Sequence, residues 1–387
     1  MPNTSLPSLH ERAAHVEATL GRLRTWLGER QLDGVILALP ANVAWVTGGL
    51  GAPVDRSAAL DAVRVVVGGA GLALVVTEVE QDRLVDEAEP AALGFEVLAV
   101  PWFAGGGYLD EAARAFLDRP ASRLGTDVAV AGAQDVAGEL LRLRLTHSEQ
   151  AAGWLRRLGR DASEAMEVTL AGWCPGDTDR SVQARLVQEI EQRGAEAVVV
   201  LVGGDERVER YRHPVAVGAA TRSLVMAVVV ARRQGLHVAL TRFVSAGRLP
   251  VELARRFEAV LAVEAAVLAA CRPGQSYGAA LLALAQAYRD VGCPDAWREH
   301  YQGGPIGYQQ RELELAPVDT GSRWWEQEIA ARHAVAWNPS LAGGAKVEDT
   351  FLVGSQGLEC LTDPIEWPLA SCTGVHGIRR PSVLQLD

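Results

Sequence analysis

The sequence predicts two domains, an α/β domain over residues 1–145 followed by an α+β domain over residues 146–387. The chain has 387 residues, which is more than one ordinary hydrophobic core accommodates. In the first segment, apolar runs of strand length alternate with helical patterns, which predicts a sheet covered by helices. In the second segment, long helices are mixed with paired apolar runs, which is typical of antiparallel strands.

The first domain is predicted to begin with a helix from about Glu11 to Glu29, because its apolar residues recur at helical spacing. The apolar run 32–39 predicts a buried strand. Residues 63–77 contain two apolar runs around a glycine-rich turn, which predicts a hairpin. The next elements are predicted as a strand over 95–103, a loop over 104–107 and a helix over 110–118.

The second domain is predicted to begin near Thr146, where the sequence Thr-His-Ser-Glu fits a capping box. Thr146 would cap a long helix and Glu149 would reach back to the cap amide. Residues 223–244 predict two strands joined at Arg-Gln-Gly, and residues 250–274 predict a helix stopped by a Pro-Gly pair. The other elements are predicted as a loop over 174–179, a helix ending near Gly194, a strand over 197–204, a charged loop over 203–211, a helix over 276–292 and strands over 335–340 and 345–354.

The composition excludes several classes of partner. A formal net charge of -11 argues against nucleic acid and anionic membrane surfaces, since both attract a basic face. No apolar run is long enough for a transmembrane helix, and the N-terminus lacks a signal-peptide pattern. The five cysteines show no metal-binding or disulfide spacing, which predicts a cytoplasmic protein.

Five segments carry a family resemblance: RYRHP (210–214), ARRQGLHVALTRF (231–243), EHYQGGPIGYQQRE (299–312), WNPS (337–340) and GGAKVEDT (343–350). In this order they resemble the pita-bread superfamily, which includes aminopeptidase P, prolidase, methionine aminopeptidase and creatinase. The resemblance implies a creatinase-type α/β domain over residues 1–145, in which 32–49 is the closest stretch, and a pita-bread domain over residues 146–387. It also implies a homodimer, to which Trp45, Trp102 or Arg83 would contribute.

The resemblance further implies two divalent ions held by two aspartates, a histidine and two glutamates, which together generate a hydroxide nucleophile. In this chain the five ligand positions are occupied by Val228, Ala239, Gly304, Asn338 and Glu348. One carboxylate does not offset the dehydration of two dications. The sequence therefore predicts a divergent superfamily member with no metal and no other cofactor.

Two motifs retain residues that could perform chemistry. His213, in Arg-His-Pro, matches the histidine that lies beside the reacting bond in this superfamily, and its near-neutral pKa suits proton transfer. The alternative is a histidine that holds the turn before Pro214. Arg311 and Glu312 match the family's His-Glu pair, and in creatinase-like enzymes an arginine near this point grips the substrate carboxylate. The alternative is a structural ion pair.

Lys346 and Glu348 are two residues apart on a predicted strand and therefore share a face. Lys346 stands where aminopeptidase P and prolidase carry an arginine. Glu348 would be paired with a cation or protonated, and either state would serve acid–base chemistry; otherwise it is kept by packing. His300 and Tyr308 flank the glycine turn and are predicted to line a substrate pocket, unless they belong to the core.

These residues leave three functional hypotheses. The first is a metal-independent, creatinase-like hydrolase that cleaves a C–N bond in a small carboxylated compound. His213 would be its general acid and base, Arg311 its carboxylate anchor, and Glu312 and Glu348 would orient and polarise the substrate. The second is a non-catalytic pita-bread protein that binds a small molecule or a partner. The third is an Xaa-Pro peptidase with metal ligands drawn from His213, His300, His333 and Glu348.

Overall fold

The computed structural model describes residues 6–50, 54–56, 58–60, 62–69, 71–370 and 377–387. Contacts divide the chain into two compact units, one ending at Ala151 and the other running from Ala152 to Asp387. The domain boundary predicted after residue 145 stays a prediction. The fold class, an α/β domain followed by an α+β domain, is confirmed. Among the described residues, no helix combines the length and hydropathy needed to cross a membrane.

The N-terminal unit is built on a six-stranded mixed sheet with the strand order β4-β3-β2-β1-β5-β6. Its strands are β1 (Gly34–Leu37), β2 (Arg64–Gly68), β3 (Gly71–Thr77), β4 (Glu96–Val100), β5 (Leu124–Thr126) and β6 (Gln134–Asp135). Its helices are α1 (Leu9–Glu29), α2 (Pro40–Thr47), α3 (Glu78–Ala88), α4 (Gly106–Leu117) and α5 (Ala137–Leu145).

The predicted hairpin over 63–77 is confirmed, because β2 and β3 pair antiparallel with Gly68 opposite Gly71. The loop predicted over 104–107 is wrong in its second half, since α4 begins at Gly106. Helix α2 was not predicted. It is short and apolar, and it is held at its start by Asp127, whose carboxylate accepts hydrogen bonds from the amides of Ala38 at 2.8 Å and Leu39 at 3.0 Å.

Helix α1 carries a buried histidine, His15. Its Nε2 donates to the carbonyl oxygen of Trp45 at 2.7 Å, because a carbonyl only accepts, and its Nδ1 then accepts from the hydroxyl of Ser148 at 2.7 Å. Burial lowers the pKa of His15 from 6.5 to about 4. The neutral imidazole is therefore the form that the fold accommodates. Trp45 is itself buried, whereas Trp102 is exposed.

We expect this histidine to make the protein less stable at acidic pH. His15 takes up a proton near pH 6.5 in the unfolded chain and only near pH 4 in the folded chain. The stabilising contribution of the neutral imidazole is therefore fully present above pH 6.5 and is lost as the pH falls towards 4. The loss should reach about 2 kcal/mol at pH 5. Urea unfolding of the wild type and of His15→Gln at pH 7.5 and pH 5 measures it. Equal pH dependence in the two proteins would contradict this assignment.

The C-terminal unit contains a sheet of order β16-β9-β8-β7, a second sheet of order β10-β11-β14-β15 and the pair β12-β13. Its helices are α6 (Glu149–Ala171), α7 (Asp179–Gln192), α8 (Glu206–Arg210), α9 (Val251–Ala270) and α10 (Tyr277–Asp290). Its strands are β7 (Glu196–Gly204), β8 (Leu224–Arg233), β9 (Leu236–Ala246), β10 (Gly303–Ile306), β11 (Ala334–Trp337), β12 (Ser340–Leu341), β13 (Ala345–Lys346), β14 (Asp349–Val353), β15 (Leu358–Cys360) and β16 (Leu384–Leu386).

The strand pair predicted over 223–244 is confirmed as the antiparallel hairpin β8–β9. The cap predicted at Thr146 is wrong. Thr146 ends the preceding helix α5 in extended backbone, and α6 begins only at Glu149. The hydroxyl of Ser148 accepts a hydrogen bond from the amide of Ala151 at 3.0 Å and is the capping group.

A buried ion network ties β9 to β14 and α9. Arg242 on β9 donates to Asp349 on β14 at 2.9 Å, and Arg380 lies 2.8 Å from the other oxygen of the same carboxylate. Arg380 also donates to Glu264 on α9 at 2.6 Å. All four side chains are buried. This network fixes β9 against β14 next to the segment that carries Glu348.

Candidate functional site

Strands β8 and β9 carry the first two positions at which the superfamily holds metal. In the hairpin register, Val228 lies opposite Thr241, and Ala239 lies opposite Val230. Val228 packs in an apolar cluster with Met226. Val228 and Ala239 are both 3% exposed. Their side chains belong to the hydrophobic core and offer no electron pair to a cation.

Glu348 is held by its neighbours on both carboxylate oxygens. The hydroxyl of Thr241 donates to Oε2 at 2.7 Å, and Nδ2 of Asn338 donates to Oε1 at 3.3 Å. The Thr241 amide also donates to the Glu348 carbonyl at 3.0 Å. The one charged side chain that remains from the family's ligand set is therefore anchored by polar groups of this chain.

The ammonium of Lys346 lies beside Glu348 and makes no hydrogen bond to any residue that the structure describes. Its Nζ is 3.8 Å from Oε2 of Glu348, which is beyond hydrogen-bonding distance. Lys346 is only 4% exposed. Burial lowers the pKa of Lys346, Glu348 opposes that shift, and Arg311 and Arg212 add to it. A buried ammonium with unused donors is a group that a bound anion would satisfy.

One signal for this residue was present in the sequence and was not used. Lys346 is the only lysine of the chain, so the 37 basic residues comprise this lysine and 36 arginines. An ammonium is a compact point charge, whereas a guanidinium is a wide planar fork. Because every other position of this class is an arginine, the single lysine distinguishes position 346 in the sequence.

His213 lies on the loop between α8 and β8, and two glycines let this loop cross the end of β7. A Cβ on Gly203 would lie 2.5 Å from the Cβ of Pro214, and a Cβ on Gly204 would lie 2.4 Å from Cγ2 of Thr221. Both distances are far below van der Waals contact. The Gly-Gly pair is thus what allows the His213 loop to pack where it does.

Asp205, which precedes α8, holds the far end of the same loop. Its carboxylate accepts hydrogen bonds from the amides of Arg222 at 2.8 Å, Ser223 at 2.7 Å and Leu224 at 3.0 Å. Its backbone has a φ of 52°, an uncommon value for a residue with a side chain. The prediction of a solvated charged loop over 203–211 is therefore wrong. The segment comprises the end of β7, the strained Asp205 and α8.

We expect Gly203→Ala to destabilise the protein by about 1–3 kcal/mol, because the new methyl group overlaps Pro214 and pushes the His213 loop away. Urea unfolding measures the effect. Gly153→Ala is the matched control, since its Cβ meets nothing within 4 Å and it lies inside α6, where alanine favours helix. The clash is disproved if both variants are at least as stable as the wild type.

The rings of His213 and His300 meet edge to face, with centroids 5.5 Å apart. Nδ1 of His300 donates to the carbonyl of Tyr301 at 2.7 Å, so its Nε2 accepts from the hydroxyl of Ser340 at 2.7 Å. His300 is thus fixed in one tautomer. By contrast, the ring of His213 forms no hydrogen bond within the described part of the chain and is exposed at the surface of the site.

The charged groups that act on His213 are all cations. Partial burial, followed in order by Lys346, Arg311 and Arg212, lowers its pKa from 6.5 to about 4. Burial and Lys346 also lower the pKa of His300, to about 3. The two imidazoles are therefore neutral at physiological pH, and they experience a positive potential that an anion would offset.

The glycine turn forms β10, which pairs with β11 so that Gly304 lies opposite Ala336. Gly303 has a φ of 106°, and a Cβ there would lie 2.2 Å from the carbonyl oxygen of Ala336. A Cβ on Gly304 would lie 2.9 Å from the hydroxyl oxygen of Tyr301. The turn therefore requires glycine at 303, where the obstacle is backbone, whereas the obstacle at 304, where the superfamily has its histidine ligand, is the side chain of Tyr301.

The other predicted site residues have partners of their own. Arg311 is exposed and donates to Glu314 at 2.8 Å. Glu312 is buried and accepts from the amide of Gln309 at 3.1 Å, and Tyr308 is buried as well. The carboxylate-anchor role of Arg311, the catalytic role of Glu312 and the pocket-lining role of Tyr308 stay predictions.

These residues do not fit a pair of divalent cations. Within the described residues, no group of three or more histidine, cysteine, aspartate or glutamate side chains could hold a metal ion. His333, which would be needed for a substitute ligand set, bonds through Nδ1 to the hydroxyl of Tyr277 at 3.0 Å. The ammonium of Lys346, 3.8 Å from Glu348, would repel a dication bound to that carboxylate.

Solved structures share this fold at low sequence identity. The Xaa-Pro dipeptidase from Bacillus anthracis is 19% identical with a TM-score of 0.73, over 96% of this chain and 100% of that one. The dipeptidase PepE from Mycobacterium ulcerans is 19% identical with a TM-score of 0.74, over 97% and 99%. The N-terminal domain of the FACT complex subunit SPT16 from Cicer arietinum, chickpea, is 13% identical with a TM-score of 0.68, over 93% and 97%. These likenesses show the fold alone.

Sequence comparison defines the family. No curated protein matches the chain. The profile of metallopeptidase family M24 matches residues 153–355, which is more than half of the chain and includes His213, the glycine turn and Glu348. Together with the fold, this confirms the predicted resemblance to the pita-bread superfamily. The chain belongs to metallopeptidase family M24.

Proposed function

We propose that the protein binds a small carboxylated compound without a metal ion, and that Lys346 pairs with the carboxylate. The observation that carries this proposal is the buried ammonium of Lys346, which has no hydrogen-bond partner among the described residues and lies 3.8 Å from Glu348. Glu348 supplies a counter-charge at 3.8 Å but accepts no hydrogen bond from the ammonium. A ligand carboxylate would supply the missing acceptors.

The surrounding charges support an anion as the ligand. Lys346, Arg311 and Arg212 each lower the pKa of His213, which means that their positive potentials add at the same place. The partners of Arg311 and Arg212, Glu314 and Glu299, are exposed carboxylates whose charge water screens. A small anion beside His213 and Lys346 would therefore lie in a favourable field.

The single lysine allows a direct test. The wild-type protein is acetylated with acetic anhydride in the presence of mono- and dicarboxylates of two to six carbons, and each acid is compared with its methyl ester. We expect that an acid that raises the Tm also slows acetylation of Lys346 at least about tenfold, while the α-amine reacts at an unchanged rate. Mass spectrometry measures both rates. Acids that raise the Tm and leave Lys346 equally reactive would contradict the proposed anchor.

The second candidate function is hydrolysis of a C–N bond in the bound compound, as in the creatinase-like hypothesis. It is favoured by His213, whose imidazole is neutral and adjacent to His300. His213 would take a proton from a water molecule while the water oxygen attacks the carbon. The C–N bond then breaks, and the imidazolium returns the proton to the leaving nitrogen. A ligand carboxylate near the cations would raise the pKa of His213 towards neutrality, where proton transfer is most effective.

This second candidate is tested with His213→Gln on amide-containing analogues of the acid that the protection experiment identifies. Release of the amine should fall at least about 100-fold while the ligand's Kd changes little. Unchanged turnover would disprove the proton-transfer role and leave the non-catalytic binder. We do not propose an Xaa-Pro peptidase, because the residues do not fit its metal ions. A homodimer and a cytoplasmic location stay predictions.

A further inference from the structure

The position of the missing histidine ligand is occupied by another side chain. A Cβ on Gly304 would lie 2.9 Å from the hydroxyl oxygen of Tyr301, closer than carbon and oxygen approach without displacement. The φ of Gly304 is 156°, which side-chain-bearing residues rarely adopt. An imidazole at this position would therefore have to enter space that Tyr301 already fills, from a backbone that disfavours it.

Tyr301 is anchored where it lies. Its hydroxyl donates to the carbonyl of Leu313 at 2.8 Å. The guanidinium of Arg311 lies over its ring, 4.7 Å from the centroid. Moving Tyr301 would leave the Leu313 carbonyl without this donor and would break the cation–π contact. The side chain is therefore a fixed part of the site and not a flexible end that yields to a neighbour.

We infer that Tyr301 closes the metal-binding space of the family, so that restoring the ligand residues does not restore metal binding while Tyr301 is present. The inference goes beyond the proposed function, because it concerns the metal and does not depend on any ligand of Lys346. Three features act against a metal ion: four ligand positions lack suitable side chains, the ammonium of Lys346 lies 3.8 Å from the remaining carboxylate, and the volume of one ligand is occupied by an anchored phenol.

The first test restores the ligands with Val228→Asp, Ala239→Asp, Gly304→His and Asn338→Glu and removes the ammonium with Lys346→Met, with and without Tyr301→Ala. Manganese content after incubation and gel filtration is measured by plasma mass spectrometry. We expect the variant that keeps Tyr301 to retain less than about a tenth of an equivalent, and the variant that also carries Tyr301→Ala to retain one or more. Metal in the first variant would overturn the inference, and so would the absence of metal in both.

The second test does not require acidic residues in the core, which can prevent folding. Gly304→His is compared with Gly304→His/Tyr301→Ala by thermal unfolding. We expect the double variant to have the higher Tm, because the shortened side chain makes room for the imidazole. Gly304→His/Tyr308→Ala is the matched control, which removes a nearby buried tyrosine and should give no rescue. A double variant with a Tm at or below that of Gly304→His would overturn the inference.

Discussion

Replacing Asp349 with alanine is expected to lower the free energy of unfolding by about 3–5 kcal/mol, the largest stability effect that we predict for a single substitution. The Asp349 carboxylate bonds Arg242 at 2.9 Å and lies 2.8 Å from Arg380, and all three side chains are buried. Without it, two guanidinium groups would share Glu264 as their remaining counter-charge in the core. Urea denaturation followed by circular dichroism measures the loss.

The control for this prediction is an exposed ion pair of the same type. Arg156 and Glu359 form two bonds of 2.7 Å, but their side chains are 45% and 47% exposed. Water already solvates both charges, so Glu359→Ala should cost less than about 1 kcal/mol. Similar losses for Asp349→Ala and Glu359→Ala would mean that burial of the network contributes nothing to stability.

The buried network also ties together the strands on which the site is built. In a metal centre, ions hold the carboxylates and their strands together. Here Arg242 joins β9 to β14, next to the isolated pairing of Thr241 with Glu348. A side-chain network adjacent to the site thus supplies the cross-strand tie. We therefore expect Asp349→Ala to weaken ligand binding at Lys346 as well.

Elements with strong local signals could be predicted from the sequence. The hairpin β8–β9 was predicted because a Gly-containing turn separates two long apolar runs, and the structure places Gln234 and Gly235 there with positive φ. Helices α9 and α10 were predicted from their length and their Pro-Gly and Gly stops. Helices α2, α3, α5 and α8 were not predicted. Of these, α2 and α8 are short, and they are positioned by long-range bonds to Asp127 and by the strained turn at Asp205 instead of by helical periodicity.

The absence of metal ligands could be predicted residue by residue, because the motifs around each position survive in the sequence. The packing around those positions could not be predicted. The contact between Tyr301 and Gly304 depends on backbone geometry at a φ of 156°, which no sequence pattern specifies. Arg212 is one of the cations near His213 because of the path that the loop after α8 takes across β7. Both are consequences of three-dimensional packing and not of spacing along the chain.

Replacing Lys346 with methionine is expected to weaken binding of the carboxylated ligand at least about 30-fold, because the anion would lose its buried partner. Methionine has a similar length and no charge, so it fills the same space. Isothermal titration of the ligand found by the protection experiment measures the change. Lys346→Arg is the comparison: it keeps the charge, but its planar guanidinium does not fit a site where the lysine is only 4% exposed.

The stability of the double variant Lys346→Met/Glu348→Gln separates a binding role from a structural one. Lys346→Met alone leaves the buried Glu348 carboxylate without its cation, whereas the double variant removes both charges, and the glutamine oxygen can still accept the bond from Thr241. Because replacing a buried ion pair as a whole costs little, the ligand-free double variant should unfold at the same Tm as the wild type or above it. If Lys346 were retained for folding, the Tm and the affinity would fall together. Lost affinity with unchanged or higher stability is the result expected of a cation that is kept in the core for its ligand.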